Sequence, residues 1–308
     1  MARIAVIDIG TNTINLLIAE GSKNNNSVLH SDRIPARLGK GGIGAKKITD
    51  DAFQRGIDAL IQHHQTCVQF NCNSIYAFGT SMLRDAVNGK EFALEVHQHT
   101  GIQIEIIDGN REAELIWKGV REAGNVSGMY CIMDIGGGST EFIIADHEKI
   151  HWKKSYQLGV TRLYEEIPHS DPIKEQEILA TELHLKQELE DLFDALKSYD
   201  INTLIGSAGS FESYKTMIAH RCDEGPVDLK IPLHHIHMAE MEKLIEHILI
   251  SHHEERCGMK GLHEIRRDLI VVASVLIRFV ICNHSFSQVY FSVYALKEGV
   301  MAEQLSDK

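Results

Sequence analysis

The stretch YCIMDIGGGSTEFIIAD, residues 130–146, repeats the pattern of IAVIDIGTNTINLLIAE, residues 4–20. When Asp8 is placed on Asp134, both segments show Asp-Ile-Gly, a polar turn, and a second apolar run that ends in Ala and an acid. Apolar runs joined by a short turn rich in Gly and polar residues are typical of β-hairpins. A hairpin that recurs 126 residues along the chain predicts two domains built on the same plan.

Outside the repeat, short β-rich runs alternate with longer segments of helical periodicity. Residues 50–70, for example, place Phe53, Ile57 and Leu60 on one helical stripe. A helix is also expected from Asp171-Pro172 to about residue 199, and another over residues 262–282. This alternation predicts an α/β fold in which helices cover mixed sheets.

The composition restricts the classes of function. The chain has 308 residues, 44% of them hydrophobic, and a formal net charge of −12 at pH 7. The acidic balance argues against nonspecific binding to nucleic acid polymers or to an anionic membrane. The six cysteines form no C-x-x-C pair, the N-terminus reads directly as a strand, and no apolar run reaches about 18 residues. We therefore expect a soluble protein of the reducing cytoplasm.

The two repeated turns are the first candidate binding sites. Turns rich in Gly and small hydroxyl or amide residues let backbone N–H groups approach a phosphate, and the side chains add further donors. Two such turns in facing domains can hold a phosphate group from both sides, whereas a single turn of this kind reads equally well as a plain hairpin. The candidate phosphate ligands are Thr11, Asn12, Thr13, Gly136, Gly137, Gly138, Ser139 and Thr140.

Asp8 and Asp134 end the first strand of each repeat, after an apolar run. A buried carboxylate is costly unless it is paired, and a divalent cation shared with substrate phosphates would offset that cost. The alternative is an Asp that caps its own turn. We expect a metal role for at least one of the two.

A third Gly-rich turn, GSAGS at 206–210, follows a strand and precedes a helix. The N-terminus of a helix binds anions readily, so Ser207 and Gly209 are further candidate phosphate ligands. A plain connection between a strand and a helix is the alternative.

Seven ordered motifs resemble those of the exopolyphosphatase and guanosine pentaphosphate phosphohydrolase family, in the actin-like phosphotransferase superfamily. The resemblance runs from about Ile4 to Glu303. The motifs are AVIDIGTNTINLLIAE, GTSMLRDAVN, IEIIDGNREAELIWKGV, MDIGGGSTEF, LGVTRL, GSAGS and ALKEGVMAE. The resemblance implies two actin-like, ribonuclease H-like domains with a cleft between them. Residues 1–124 would form the first domain and 125–294 the second, and a closing helix over 295–308 would return to the first.

The same resemblance implies a catalytic glutamate that activates water with the help of magnesium. It falls on Glu112, in the first turn of a helix, where an acid could otherwise serve only to interact with the helix dipole. Glu114 is the nearby competitor, but it points to another face of the helix. The family often has an acid one position before the base, whereas this chain has Arg111.

Three further positions are implied by the resemblance. Glu141 would help to hold the water or the metal, with an exposed strand residue as the alternative. Arg84 would contact substrate phosphates, for which a planar guanidinium is suited. Arg162 is the weaker candidate, because it could equally pair across the two domains.

A polyanionic substrate and a net charge of −12 need a local basic region. RIPARLGKGGIGAKK, residues 33–47, holds five basic residues and no acid. It could line an electrostatic funnel, or it could be a solvated loop. Arg37 and Lys40, next to the glycines, are the candidate substrate ligands of this stretch.

The expected reaction is hydrolysis of the terminal phosphoanhydride of inorganic polyphosphate, with Mg²⁺ or another divalent cation. Three rivals stay open: hydrolysis of pppGpp by the same residues, an actin-like kinase, and a non-catalytic phosphate or nucleotide sensor. The expected partner is the substrate, polyphosphate or pppGpp. Family members often form homodimers, but the sequence carries no interface signal, and a need for K⁺ is not readable from it.

Overall fold

Two mixed β-sheets with helices on their faces make up the computed structural model, which describes residues 2–22 and 25–306. We call β1–β5 with helices α1–α4 the first lobe, and β6–β11 with α5–α11 the second lobe. The strands of the first lobe are β1 Ala2–Ile9, β2 Ile14–Ser22, β3 Asn25–Ile34, β4 Ser74–Gly79 and β5 Ile104–Ile106. Those of the second are β6 Met129–Ile135, β7 Thr140–Ala145, β8 Ile150–Tyr156, β9 Ile201–Ser207, β10 Leu233–Ile236 and β11 Gln288–Ser292.

The helices cover both sheets. In the first lobe they are α1 Asp50–Gln69, α2 Ser81–Asp85, α3 Gly89–Thr100 and α4 Gly109–Ala123. In the second they are α5 Val160–Glu166, α6 Glu175–Glu188, α7 Glu190–Lys197, α8 Ala208–Arg221, α9 Met238–Ile250, α10 His253–Gly258 and α11 Leu269–Asn283. The final helix is α12, Leu296–Ser306.

The sequence repeat corresponds to a repeat of topology. The first sheet has the order β3-β2-β1-β4-β5, in which β1, β2 and β3 are antiparallel neighbours and β4 and β5 continue in parallel. The second has the order β10-β11-β9-β6-β7-β8, with the same antiparallel β6-β7-β8 unit followed by parallel β9 and β11. The predicted α/β class with mixed sheets is confirmed. In both sheets, therefore, an Asp lies near the carboxyl end of the strand, β1 or β6, that has an antiparallel neighbour on one side and a parallel neighbour on the other.

Two of the predicted helices differ from the structure. The helix expected from Asp171-Pro172 begins only at Glu175, because the Asp171 carboxylate accepts hydrogen bonds from Arg256 and the His253 N–H instead of capping a helix. It is also interrupted at Leu189. The helix expected over 262–282 spans Leu269–Asn283, preceded by a short 3₁₀ turn.

The final helix α12 follows β11 of the second lobe but packs against α4 and the first sheet. Gly119 and Gly299 lie at the crossing of α4 and α12, where a Cβ on either would collide with a carbonyl oxygen of the other helix. Glu303 also pairs with Arg111 and Lys118 of α4. The closing helix thus contacts the first lobe, while the boundaries predicted at 124 and 294 stay predictions.

None of the helices in the described ranges 2–22 and 25–306 is long and apolar enough to cross a membrane. The predicted cytoplasmic location stays a prediction.

Replacing Gly299 with Ala should push α12 away from α4, because the new methyl group has no room beside the Leu115 carbonyl oxygen. Overpacking of this kind costs about 1–3 kcal/mol. The expected result is a loss of that size in the free energy of unfolding, measured by urea denaturation.

Gly258→Ala provides the matched control, since a Cβ there meets open space at the end of α10. Its unfolding free energy should stay within about 0.5 kcal/mol of wild type, as for ordinary surface changes. Equal effects of the two substitutions would contradict close packing at the crossing of α4 and α12.

Candidate active site

The two repeated turns have the same hydrogen bond. The Gly10 N–H donates to the Thr13 carbonyl at 3.0 Å, and the Gly136 N–H donates to the Ser139 carbonyl at 3.0 Å. Each turn begins two residues after an Asp, so Asp8 and Asp134 occupy equivalent positions in the two sheets. The repeat therefore gives both lobes an equivalent polar turn.

These turns lie against each other across the two lobes. A Cβ on Gly137 would lie 2.8 Å from the Thr11 Cβ and 2.8 Å from Asn12 Nδ2, and one on Gly138 would lie 2.8 Å from Thr11 Oγ1. Only glycine leaves room for these side chains of the first lobe so close to the backbone of the second turn. The Thr161 hydroxyl completes the contact by donating to Asn12 Oδ1 at 2.9 Å.

A cavity of about 1220 Å³ lies between the lobes at the turns. Asp8 and Glu112 of the first lobe and Asp134 of the second contribute carboxylates to its lining. The first turn, residues 10–13, and residues 136–139 of the second turn also face it. The structure thus brings most of the predicted phosphate and metal ligands together in one cavity.

Asp8 and Asp134 are held by single neutral donors. Asn15 Nδ2 donates to Asp8 at 3.0 Å, and the Ser207 hydroxyl donates to Asp134. Burial raises the pKa of each carboxyl to about 6, although these donors and the nearby Lys297 oppose the change. Both groups are therefore mostly ionised at neutral pH at a cost in burial, which a bound cation would offset.

Glu112 is the fourth residue of α4, whose N-cap Asp108 accepts a hydrogen bond from the Arg111 N–H at 2.8 Å. The Glu112 side chain is 9% exposed and accepts a hydrogen bond from Arg84 Nη1 at 2.9 Å. Burial and the charge of Glu141 raise the pKa of Glu112 well above its usual range, while Arg84 opposes them. Arg84 therefore contacts the predicted base directly in this structure.

Glu141 lies on β7, directly opposite Asp134 in the register. It is almost fully buried and accepts a hydrogen bond from the Ser155 hydroxyl at 2.6 Å. Burial, together with the charge of Asp134, raises the pKa of Glu141 to about 7. The alternative of an exposed strand residue is therefore excluded, and Glu141 lies behind the cavity, close enough to act on Glu112 through its charge.

The third turn, which leads into α8, donates a hydrogen bond to Asp134. Ser207 is fully buried and its hydroxyl is used on Asp134, whereas Gly209 lines the cavity in the first turn of α8. A Cβ on Gly209 would collide with the guanidinium of Arg266. A cationic side chain therefore lies directly over the N-terminus of this helix.

Some of the predicted ligands lie elsewhere. Thr140 is fully buried and its hydroxyl donates to the Leu158 carbonyl at 2.9 Å, so it does not face the cavity. Arg37 and Lys40 are not among the described residues that line the cavity. They lie next to it, because the Arg37 N–H donates to the Asn12 carbonyl at 2.8 Å and the neighbouring Gly39 N–H to Thr11.

Arg162 pairs across the lobes, as the second of the two readings expects. Its Nη2 donates to Asp85 at 2.7 Å, and its Nε donates to the Gly138 carbonyl at 3.0 Å. The side chain is only 4% exposed. Arg162 therefore supports the second turn from behind and links it to the first lobe.

Two cavity residues that were not among the predicted ligands, Ser81 and Lys297, lie in quoted motifs. Ser81, in GTSMLRDAVN, is 2% exposed, and its hydroxyl faces Gly138 without a hydrogen-bond partner among the described residues. Lys297, in ALKEGVMAE, lines the cavity near Asp8 and Asp134 and pairs with Glu298 at 2.8 Å. The quoted motifs include both segments, but the roles of the two side chains depend on contacts between distant parts of the chain.

The carboxylates fit a divalent cation that is shared with substrate. Within residues 2–22 and 25–306, no three His, Cys, Asp or Glu side chains converge to hold a metal by themselves. Mg²⁺ is commonly bound through one or two carboxylates, with water and substrate phosphates as the other ligands. Asp8 and Asp134, whose charges are not neutralised by an ion pair of their own, match that requirement.

The model of one protein family, described as the Ppx/GppA phosphatase family, matches residues 17–308. The chain belongs to this family. This match confirms two predictions: that the chain is a member of the family, and that it is a phosphatase of this family.

Named relatives include two kinds of enzyme. Exopolyphosphatase 2 of Mycobacterium tuberculosis is 26% identical, over 97% of this chain and 98% of that protein. A guanosine-5'-triphosphate,3'-diphosphate pyrophosphatase of Vibrio cholerae is also 26% identical, over 98% of this chain but 59% of that protein.

Solved structures agree with the fold. An exopolyphosphatase from Cytophaga hutchinsonii is 33% identical and has a TM-score of 0.96, with 99% of this chain and 98% of that chain covered. A Ppx/GppA family member from Aquifex aeolicus, 22% identical over 99% of this chain and 98% of that chain, has a TM-score of 0.83. The predicted fold class is confirmed.

Asp134→Asn should make the protein more stable at alkaline pH. Burial raises the pKa of Asp134 from 3.8 to about 6, so the stability that its protonated form provides is lost as pH rises through about 6. Asn does not ionise, and a shift of this size corresponds to about 2–3 kcal/mol. We expect the variant to exceed wild type in unfolding free energy above about pH 6 and to approach it as pH falls from about 6 to 3.8, the pKa before the shift.

Urea denaturation in metal-free buffer across this pH range measures the difference. Asp200→Asn, at an exposed carboxylate, serves as the control and should follow wild type at every pH. A difference between Asp134→Asn and wild type that does not change with pH would contradict a buried, titrating Asp134.

Proposed function

We propose that the protein is an exopolyphosphatase, which hydrolyses the terminal phosphoanhydride of inorganic polyphosphate and releases orthophosphate. The observation that carries this proposal is the position of Glu112, a buried carboxylate that faces the same cavity as the two opposed Gly-rich turns. Turns of this kind suit phosphate in general, whereas a base beside them allows water to be the acceptor. Membership of the phosphatase family and similarity to the exopolyphosphatases named above support the choice.

In the proposed reaction, Glu112 accepts a proton from a water molecule as the water oxygen attacks the terminal phosphorus. The bond between that phosphorus and the bridging oxygen breaks, and the bridging oxygen leaves with the shortened chain. A raised pKa suits a general base that works near neutral pH, because the carboxylate then binds the proton readily. Arg84, 2.9 Å from Glu112, keeps enough of the base ionised and orients it.

The two turns would bind the transferred phosphoryl group. Residues 10–13 and 136–139 line the cavity from different lobes, and their backbone N–H groups can stabilise charge that develops on the phosphoryl oxygens. The unpartnered Ser81 hydroxyl provides a further donor beside Gly138. Asp8 and Asp134 would hold Mg²⁺, which when bound offsets negative charge on the phosphates. Lys297 would balance the same carboxylates from α12.

Glu112→Gln should lower the rate of phosphate release from polyphosphate of defined length about 10²- to 10⁴-fold, because the amide cannot accept the proton of water. The assay measures orthophosphate with and without Mg²⁺. Glu114→Gln is the matched control, since Glu114 is two residues away on α4 and pairs with Lys153 and Arg111 outside the cavity lining.

Three outcomes of this assay separate the rival functions. Undiminished hydrolysis by Glu112→Gln would remove Glu112 as the base. No hydrolysis by wild type would favour the sensor. Appearance of the phosphoryl group on an acceptor other than water would favour the kinase.

Arg84→Gln should move the acidic limb of the pH profile of kcat/KM to higher pH. Arg84 lowers the pKa of Glu112 against burial and Glu141, so its loss leaves more of the base protonated at a given pH. The height of the profile should also fall if Arg84 contacts phosphate. Kinetics from about pH 5 to about pH 9 measure both effects, and an unmoved acidic limb would contradict the coupling of Arg84 to Glu112.

Hydrolysis of pppGpp is the second candidate function. Part of the cavity lining is apolar and exposed, with Val28 54% and Leu229 47% exposed, and an inorganic chain makes no use of such groups. A nucleobase would cover them, and the Vibrio cholerae relative carries the name of a pyrophosphatase for such a nucleotide. Comparing kcat/KM for pppGpp and for polyphosphate distinguishes the two substrates.

A further inference from the structure

A second, smaller cavity of about 420 Å³ lies beside the candidate active site. Both cavities have Thr13, Arg33, Glu212, Ile265 and Arg266 in their linings. These shared residues therefore form the wall between the two cavities. The second cavity plays no part in the reaction described above.

The charged members of this wall form one cluster around Glu212. Arg33 Nη1 of the first lobe donates to Glu212 Oε2 at 2.9 Å, and Arg266 Nη2 of the second lobe donates to the same oxygen at 3.0 Å. Arg33 Nε also donates to Asn15 Oδ1 at 3.2 Å, which fixes the guanidinium beside the first turn. One carboxylate thus binds two guanidinium groups and connects the lobes.

Two members of the cluster are largely shielded from water, whereas the Arg33 side chain is 45% exposed. The side chains of Glu212 and Arg266 are 19% and 14% exposed, respectively. Burial alone would raise the pKa of Glu212, but Arg266 and Arg33 together lower it, so the carboxylate is ionised at neutral pH. Two cations with one anion leave the wall with a positive charge.

The position of Arg266 over Gly209 makes this wall an anion site next to the phosphate turns. Its guanidinium packs on the first turn of α8, where the helix N-terminus also favours negative charge. Phosphate oxygens bind guanidinium groups with the same geometry as carboxylate oxygens do. A phosphate group at this wall and the Glu212 carboxylate would therefore compete for the same two donors.

We propose that Glu212 is a specificity residue that selects against long polyphosphate chains, by occupying Arg33 and Arg266 at the wall between the two cavities. The proposal rests on the proposed function. A short chain fits the first cavity and leaves the cluster intact. A longer chain reaches the second cavity only when its phosphates replace Glu212 on the two guanidinium groups. Chain-length preference is thus set at the Arg33–Glu212–Arg266 cluster.

Glu212→Gln tests the proposal, because it removes the charge and keeps the size of the side chain. Binding of tripolyphosphate and of one long polyphosphate is measured by calorimetry in the Glu112→Gln background, where turnover is suppressed. We expect affinity for the long chain to rise at least about tenfold relative to tripolyphosphate, since like charges across a contact are strongly unfavourable. The kcat/KM ratio of the two substrates should change in the same direction when Glu112 is intact.

Glu165→Gln is the matched control, because Glu165 of α5 also joins the lobes, by accepting a hydrogen bond from the Gly41 N–H at 2.7 Å, but lies outside both linings. If the cluster only holds the lobes together, the two variants will change both affinities alike, and the proposal is overturned. An unchanged ratio of affinities in Glu212→Gln overturns it as well. Because the binding arm needs no turnover, absence of hydrolysis by wild type would reject the proposed function and leave the binding result decisive for Glu212.

Discussion

Burial of Asp8, Asp134, Glu112 and Glu141 around one cavity is the constraint on which the remaining structure depends. Isolated charges are costly to bury, and a neighbouring like charge raises a carboxyl pKa, as Glu141 does for Glu112 and Asp134 does for Glu141. The fold offsets this cost with neutral donors on three of the carboxylates and with Arg84 on the fourth. The negative charge that remains on the carboxylates can be offset by a divalent cation, which binds the phosphate chain at the same time.

Placement of the base depends on a contact that the repeat does not contain. Glu112 lies on α4, which packs against α12 through Gly119 and Gly299, and α12 follows directly from the second sheet. Helix α12 also places Lys297 at the cavity. Closure of the two lobes and the position of the base are therefore connected through one helix crossing, whereas the two turns are set by their own hairpins.

The sequence allowed prediction of features that are determined locally. The hairpins and their Asp residues are specified by residues within a few positions, so Asp8 and Asp134 were predicted near the ends of the strands where they lie. Glu112 was assigned from the family resemblance and not from its local sequence. Contacts between lobes were not predictable in the same way. Arg33 and Glu212 are 179 residues apart, and nothing in either segment indicates the other. Thr140 was misread because its hydroxyl is used by the Leu158 carbonyl, a contact that depends on how the second lobe folds back.

A protein with a net charge of −12 can bind a polyanion because the charges close to the cavity, and not the net charge of the chain, decide the local field. Several such groups are already paired with carboxylates: Arg84 with Glu112, Lys297 with Glu298, and both Arg33 and Arg266 with Glu212. Binding of phosphate is then an exchange, in which phosphate oxygens replace protein carboxylates on cations that stay in place. The cost of releasing each carboxylate lowers affinity for any anion, but a chain of linked phosphates can replace several at once. Such a cavity discriminates by the number and spacing of charges, and not by charge alone.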